Sequence, residues 1–305
     1  MPRDFCIDLA FLFGKKVIFV KTGLILEGGA IRGIFTAGVL DRLMEEGINF
    51  PYVIGVSAGG GNAMSYVSCQ VGRTCRMINV PKNDSYFGLR QFLGSRKLIN
   101  LDKMVYEYPY KQFPFDFDTY YNSGIETEYV CTCLETGEAE YFSEYEDNER
   151  LLTIAKATCS VPMLCAPVEL DGKHYLDGSI ADSIPIERAL DMGCDKLVII
   201  LTKPGLNTPP TDYSKFKTVL NSMYKKYPNF IEACMTRVER YEETVKLMNR
   251  LEEEGRAFVF RPSLPAISKF ETHTDKIMES YHDGYSQADD KIFDLVEWTK
   301  AKLVS

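Results

Sequence analysis

Two runs free of charged side chains, Gly23-Leu24-Ile25-Leu26 and Tyr52-Val53-Ile54-Gly55-Val56, each break at a glycine-rich turn and pass into a segment of helical spacing. An apolar strand, a tight turn and a helix, used twice in succession, predict parallel strands buried on both faces. After the first run, Ile34, Phe35, Val39 and Leu43 fall on one face of a helix that stops at Gly47. After the second, a helix extends from Ala58 to about Cys69. Lys196 to Thr202 reads as a further continuous apolar strand, and Ala257 to Arg261 as one more. The pattern predicts an α/β fold, a three-layer α/β/α sandwich around a mostly parallel central sheet.

The middle of the chain reads differently. Thr127 to Leu134 and Glu138 to Phe142 flank Glu135-Thr136-Gly137, a hairpin with glycine where φ is positive. Val168 to Leu170 and Lys173 to Leu176 flank Asp171-Gly172, a second hairpin that ends at Asp177-Gly178. Helices are predicted from Asn148 to about Thr158 and from about Pro185 to Gly193. Pro204 to Pro210 has the composition of a linker. Beyond it, Ile231, Cys234, Met235, Val238, Tyr241, Val245, Met248 and Leu251 keep helical spacing up to Gly255. The expected organisation is an appendage at 1–21, a core at 22–205, and a helical extension at 206–305 that returns a strand to the core sheet. Aromatic residues crowd 86–121, from Tyr86, Phe87 and Phe92 to Tyr120 and Tyr121; most are expected in the core, with this region the place for a lid.

A formal net charge of −8 and the lack of a long basic run argue against a nucleic-acid partner and against steady attachment to an anionic bilayer. The Lys15-Lys16 and Lys225-Lys226 pairs are too short to reverse that. Cys131 and Cys133, two of nine cysteines, lack a second close cysteine or histidine pair and make no zinc site. Reduced cysteines in a cytoplasmic protein, peripheral to a membrane at most, are the expectation. The apolar residues near the N-terminus are interrupted by Asp8 and followed by Lys15-Lys16, without a small-residue cleavage pattern, so a signal peptide is disfavoured.

The two glycine-rich turns carry the chemistry. Gly55-Val56-Ser57-Ala58-Gly59 sets a serine between an apolar strand and a helix, the setting that exposes a nucleophilic hydroxyl. The bland reading makes Ser57 an N-cap in a tight turn. Glu27-Gly28-Gly29-Ala30-Ile31-Arg32-Gly33 approximates a dinucleotide fingerprint, but the next strand ends in Gly55-Val56-Ser57 rather than in an acidic residue. As an oxyanion hole the same turn needs only backbone N–H groups. Arg32 is open to three roles: steadying the turn, attracting a phosphate head group, or making an ordinary surface salt bridge. Of the three histidines, His174 points away from the face of Asp177, whereas His273 and His282 sit in a polar segment. Both follow Asp177 in chain order and so offer a Ser-Asp-His alternative. Asp177, in Leu176-Asp177-Gly178-Ser179, closes a strand before a glycine turn; it fits either a direct proton acceptor for Ser57 or a turn residue bonded to its own backbone.

The order of these three blocks resembles the patatin-like phospholipases, over about residues 22–205. The stretch Ala157 to Pro167, with Ser160 and Pro162, is similar to the family segment before the aspartate. The resemblance implies a serine lipid acyl hydrolase of phospholipase A, lysophospholipase or esterase type. Its Ser-Asp dyad falls on Ser57 and Asp177, and its oxyanion donors on Gly28, Gly29 and Ala30. Arg32, Gly33, Gly55, Gly59 and Gly178 take supporting places. No cofactor or metal is implied, and the partner is a lipid or acyl ester, met in transient contact with a membrane surface. Ala30 stands where the family has a third glycine, and Ser179 where it has glycine or alanine. A catalytically silent lipid-binding or regulatory protein of the same fold is the alternative from another class.

Overall fold

Strands β1 (Thr22–Leu26), β2 (Tyr52–Val56), β3 (Glu126–Cys133), β4 (Ala139–Phe142), β5 (Val168–Leu170), β6 (Lys173–Asp177), β7 (Lys196–Ile200) and β8 (Ala257–Phe260) form one sheet in the computed structural model, which describes residues 20–80, 99–204 and 208–301. Expectations placed on residues 1–19, on Tyr86, Phe87 and Phe92, and on 205–207 of the linker lie outside the described residues. The helices are α1 (Gly33–Glu45), α2 (Ala58–Val67), α3 (Arg73–Ile78), α4 (Phe117–Tyr121), α5 (Asn148–Thr158), α6 (Ile186–Asp191), α7 (Lys217–Met223), α8 (Pro228–Met235), α9 (Arg237–Glu253) and α10 (Thr274–Lys300).

Parallel pairing joins β8 to β7, β7 to β1, β1 to β2 and β2 to β3. Successive strand residues point to opposite faces, and the core divides accordingly. Leu24, Leu26, Val53 and Val198 pack with α1, α2, α5 and α10 on one side. Ile25, Ile54, Leu197 and Ile199 pack with α6 and α9 on the other. These are the three expected layers, and β8 is the strand that the C-terminal segment was expected to return.

Antiparallel pairing is confined to the β3 side of the sheet, where β4 and β6 flank β3 and β5 pairs with β6, and it creates the relationship that matters most. Tyr129 to Thr132 of β3 pair with β4 along one edge. On the opposite edge, β2 pairs with β3 as far as Val56 opposite Val130, and β6 takes over with Asp177 opposite Cys131. Strands β2 and β6 therefore run head-on and end against each other. Both hairpin turns hold their glycines in the left-handed region, Gly137 at φ 75° and Gly172 at φ 78°.

Two elements differ from expectation. The spacing from Ile231 to Gly255 is not one helix: the chain turns at Thr236, between α8 and α9. The apolar side chains of α8 enter a separate cluster with Leu176, Ile180 and Tyr224, whereas those of α9 enter the sheet core, so one straight axis cannot serve both. Helix α1 is also buried nearly all round, not on one face. Its outer side is covered by α10, and the approach is close because glycines face backbone: a Cβ on Gly38 would stand 2.1 Å from the Tyr281 carbonyl oxygen, and one on Gly284 2.1 Å from that of Phe35.

Candidate active site

Ser57 occupies the bend between β2 and α2 with φ 54° and ψ −122°, a conformation that costs a non-glycine residue on the order of 1–3 kcal/mol. The neighbouring glycines make the bend possible. A Cβ on Gly55 would meet the Gly59 carbonyl oxygen at 2.6 Å, and one on Gly59 the Leu26 carbonyl oxygen at 2.2 Å. The Ser57 N–H donates to Thr158 Oγ1 at 2.9 Å, and that hydroxyl donates to the Val130 carbonyl at 2.6 Å. Ser57 makes no side-chain cap bond to its helix, contrary to the bland reading. Its hydroxyl instead donates to Asp177 Oδ2 at 2.6 Å.

Asp177 is 3% exposed and fixed from several sides. Its Oδ1 accepts from the Ser179 N–H at 2.9 Å, the turn bond anticipated as an alternative, while Oδ2 faces Ser57. Its backbone is held by the Ser160 carbonyl, which accepts the Asp177 N–H at 2.8 Å, and by Thr132 Oγ1, which donates to the Asp177 carbonyl at 2.9 Å. Gly178 lies where a Cβ would stand 2.1 Å from the Val130 carbonyl oxygen.

The first glycine turn lies against this pair. A Cβ on Gly28 would stand 3.0 Å from both Ser57 Cβ and the Val56 carbonyl oxygen, and one on Gly29 2.5 Å from Thr202 Oγ1. Ala30 tolerates φ 51° in the position where the family carries glycine. Among the described residues, the N–H groups of Gly28, Gly29 and Ala30 find no acceptor, so they remain available as donors. Gly33 passes close to Ala58, and its carbonyl accepts from Asn62 Nδ2 at 2.9 Å, which ties the two turns together. Arg32 spends its Nε on the Ile267 carbonyl at 2.7 Å, and burial lowers its pKa.

Glu27, at the base of the turn, is a site residue whose role the sequence did not disclose. It is 1% exposed and accepts from Thr202 N–H (2.7 Å), Thr202 Oγ1 (3.0 Å), Tyr241 Oη (3.0 Å) and Lys203 Nζ (2.9 Å). This buried acid ties β1, the end of β7 and α9 together beneath the candidate donors. Its position before two glycines hinted at importance, but its partners lie too far along the chain to be foreseen. Thr158 was missed for the same reason.

A cavity opens over Ser57 and Ala30, with Met64, Met77, Leu101, Met104 and Val105 in its mostly apolar wall. The expected aromatic residues largely pack on one another: Tyr108 meets Phe113 edge-on at 5.0 Å and Phe115 meets Phe117 at 4.8 Å. The histidines are engaged elsewhere. His174 Nδ1 lies 2.9 Å from Glu135, His273 Nδ1 lies 2.6 Å from Glu271, and His282 meets Tyr281 edge-on. None hydrogen-bonds Ser57 or Asp177. Among the described residues no group of side chains has the makings of a metal site, and no helix is long and apolar enough to cross a membrane.

A family model for patatin-like phospholipases matches residues 24–190, and one for a domain of unknown function, DUF6363, matches residues 227–300. The uncharacterized protein YjjU of Escherichia coli (strain K12) is 35% identical over 192 residues, 61% of this chain and 53% of YjjU. Lysophospholipase NTE1 of Candida glabrata is 23% identical over 271 residues, 83% of this chain but 15% of NTE1. This chain thus spans about half of the first relative and a small part of the second. A crystal structure of VipD from Legionella pneumophila aligns with a TM-score of 0.45 at 15% identity, covering 89% of this chain and 66% of VipD. The first match takes in the glycine turn, the serine bend and the aspartate block within a single span of more than half the sequence, and by it the chain belongs to the patatin-like phospholipase family.

Proposed function

We propose that the protein is a lipid acyl hydrolase in which Ser57 is the nucleophile and Asp177 its general base. The carrying observation is the 2.6 Å hydrogen bond from the Ser57 hydroxyl to Asp177 Oδ2, beside three backbone N–H groups without acceptors. Ser57 Oγ attacks the ester carbonyl carbon as its proton passes to Asp177. The carbonyl electron pair moves onto oxygen, where the N–H groups of Gly28, Gly29 and Ala30 receive it. Collapse of the tetrahedral intermediate breaks the C–O bond to the alcohol, which takes the proton from Asp177. A water molecule, deprotonated by Asp177, then adds to the acyl-enzyme, and the carboxylic acid leaves as Ser57 regains its proton. Shape supports a long-chain substrate, because the wall beyond Ser57 is aliphatic and methionine-rich.

The test is turnover of a p-nitrophenyl acyl ester together with fluorophosphonate labelling of Ser57. Activity that disappears in Ser57→Ala supports the assignment; full activity in that variant refutes it. An unlabelled but folded wild-type protein that still binds lipid would instead be the silent relative.

The substrate class also calls for access to a lipid surface. On and beside α7, Phe216, Val219 and Met223 are 43%, 46% and 53% exposed, among the exposed Lys215, Lys217, Lys225 and Lys226. Apolar side chains ringed by lysine suit transient contact with an anionic bilayer. Phe216→Ser with Met223→Ser lowers co-sedimentation with phosphatidylglycerol vesicles; unchanged sedimentation removes this contact.

A further inference from the structure

Behind the Ser57–Asp177 pair lies a group of cations drawn chiefly from the chain after β7. Lys203 pairs with Glu27 at 2.9 Å. Arg237, 7% exposed at the start of α9, donates from Nε to the Ser179 carbonyl at 2.6 Å and from its terminal nitrogens to Ser179 Oγ at 3.0 Å and the Thr211 carbonyl at 3.4 Å. Lys269 Nζ donates to Thr211 Oγ1 at 2.5 Å, and Lys269 stands in the wall of the cavity that contains Ser57. Among the described residues, Arg32, Arg237 and Lys269 have no carboxylate at ion-pair distance: their hydrogen bonds go to carbonyls and hydroxyls. The carboxylates present here, Glu27 and Asp177, do not balance four cations.

Buried charge without a counter-charge is costly, and a ligand that supplies the missing charge is favoured. The strain shows on Lys269, whose pKa is pushed down to about 8 by burial and by the nearby Arg237, Arg32 and Lys203, against the opposing pull of Asp177. The cavity thus has two characters, a long aliphatic wall for an acyl chain and, at Lys269, a cation supplied by the C-terminal segment, with Arg73 of α3 the other cation in its lining.

We propose that Lys269, backed by Arg237, binds a phosphate-type oxyanion carried close to the scissile ester, so that the site selects acyl esters with an anionic head group over neutral ones and over those ending in a fixed cation. The proposal rests on the hydrolase reading for its reacting centre. It extends that reading by giving the C-terminal segment a part in substrate choice. It also assigns a use to Ser179, the departure from the family pattern, whose hydroxyl and carbonyl seat Arg237.

The experiment compares kcat/KM for 1-oleoyl lysophosphatidic acid, 1-oleoyl lysophosphatidylcholine and 1-oleoylglycerol. Wild-type protein is expected to favour the first by at least about tenfold, a difference of roughly 1.4 kcal/mol. Lys269→Met brings the ratios towards one, and Lys269→Arg restores part of them. The preference also declines as pH rises through about 8, where Lys269 discharges. Equal loss on all three esters in Lys269→Met overturns the proposal, because the lysine then serves the dyad or the fold. Binding decides the matter independently of turnover: dodecyl phosphate should bind Ser57→Ala protein about tenfold more tightly than dodecanol, and lose that advantage when Lys269→Met is added. No such advantage sinks the anion site even in an active enzyme. A retained advantage without any turnover strikes only the hydrolase reading. Inorganic phosphate competing as well as dodecyl phosphate would make this a free-phosphate site and overturn the head-group assignment.

Discussion

Val56 and Asp177 stand opposite consecutive residues of β3, Val130 and Cys131, along the same edge. One strand arrives from below and the other from above, so the residue after Val56 is delivered to the carboxylate by backbone pairing alone. No loop has to fold over to assemble the pair. The geometry is therefore built into the sheet, and side-chain changes at the two positions should alter chemistry more than architecture.

Ser57→Ala and Asp177→Asn are each expected to lower kcat for an acyl ester by about 10³ or more, and the double variant by no more than either single one, because groups that act as a unit are not additive. Steady-state kinetics of the three variants, with melting curves to confirm folding, checks this. A double variant that multiplies the single losses would show the two residues working separately.

The bend at Ser57 stores backbone strain, and glycine relieves it without restoring a nucleophile. Ser57→Gly should be more stable than Ser57→Ala by about 1 kcal/mol, or roughly 1–2 °C in Tm for a chain of this size. Comparing the two variants cancels the lost hydroxyl. Identical melting temperatures would mean that the φ of 54° carries no strain.

Two glycines two residues apart should respond in opposite directions. Gly59→Ala forces a Cβ to 2.2 Å from the Leu26 carbonyl and should cost at least about 2 kcal/mol. Gly61, also in α2, has nothing within 4 Å of such a Cβ, and Gly61→Ala should gain about 0.5–1 kcal/mol from helix propensity. Urea melts of the pair give the answer, and a stabilised Gly59→Ala would contradict the packing described for the bend.

Much of this site is legible in the sequence because its parts are local. A strand, a turn and a helix within about a dozen residues fix Ser57, and the same is true of the glycine turn and of Asp177 at the end of a hairpin. What escapes is whatever depends on register between distant segments. Nothing in the spacing says that β2 and β6 share an edge of β3, that Thr158 bonds the Ser57 amide, or that Glu27 gathers Thr202, Lys203 and Tyr241. Arg237 and Lys269 are single basic residues in polar stretches, without a period or motif to mark them. The turn at Thr236 was hidden because helical spacing runs through it unbroken while the cluster it feeds changes.

Asp182 offers a test by pH. Burial raises its pKa from 3.8 to about 6, although the Tyr141 hydroxyl donates to it at 3.0 Å. A carboxyl that holds its proton more tightly when folded penalises the native state above pH 6, and the penalty fades as pH falls from about 6 towards 4. Asp182→Asn should therefore be more stable than wild type at pH 7.5, by about 1–2 kcal/mol, with the difference shrinking towards pH 4. Urea midpoints across that range check the sign; a gap that widens on acidification would reverse it.

The crossing of α1 and α10 at Gly38 and Gly284 has a consequence for biosynthesis. The glycine turn, the serine bend and the aspartate all leave the ribosome before α10 is made. Until that helix arrives, the outer side of α1 faces water with its apolar side chains and bare glycine backbone uncovered. The nascent chain thus carries Ser57 and Asp177 ahead of the helix that covers α1, and the interval is when a chaperone would find most to grip.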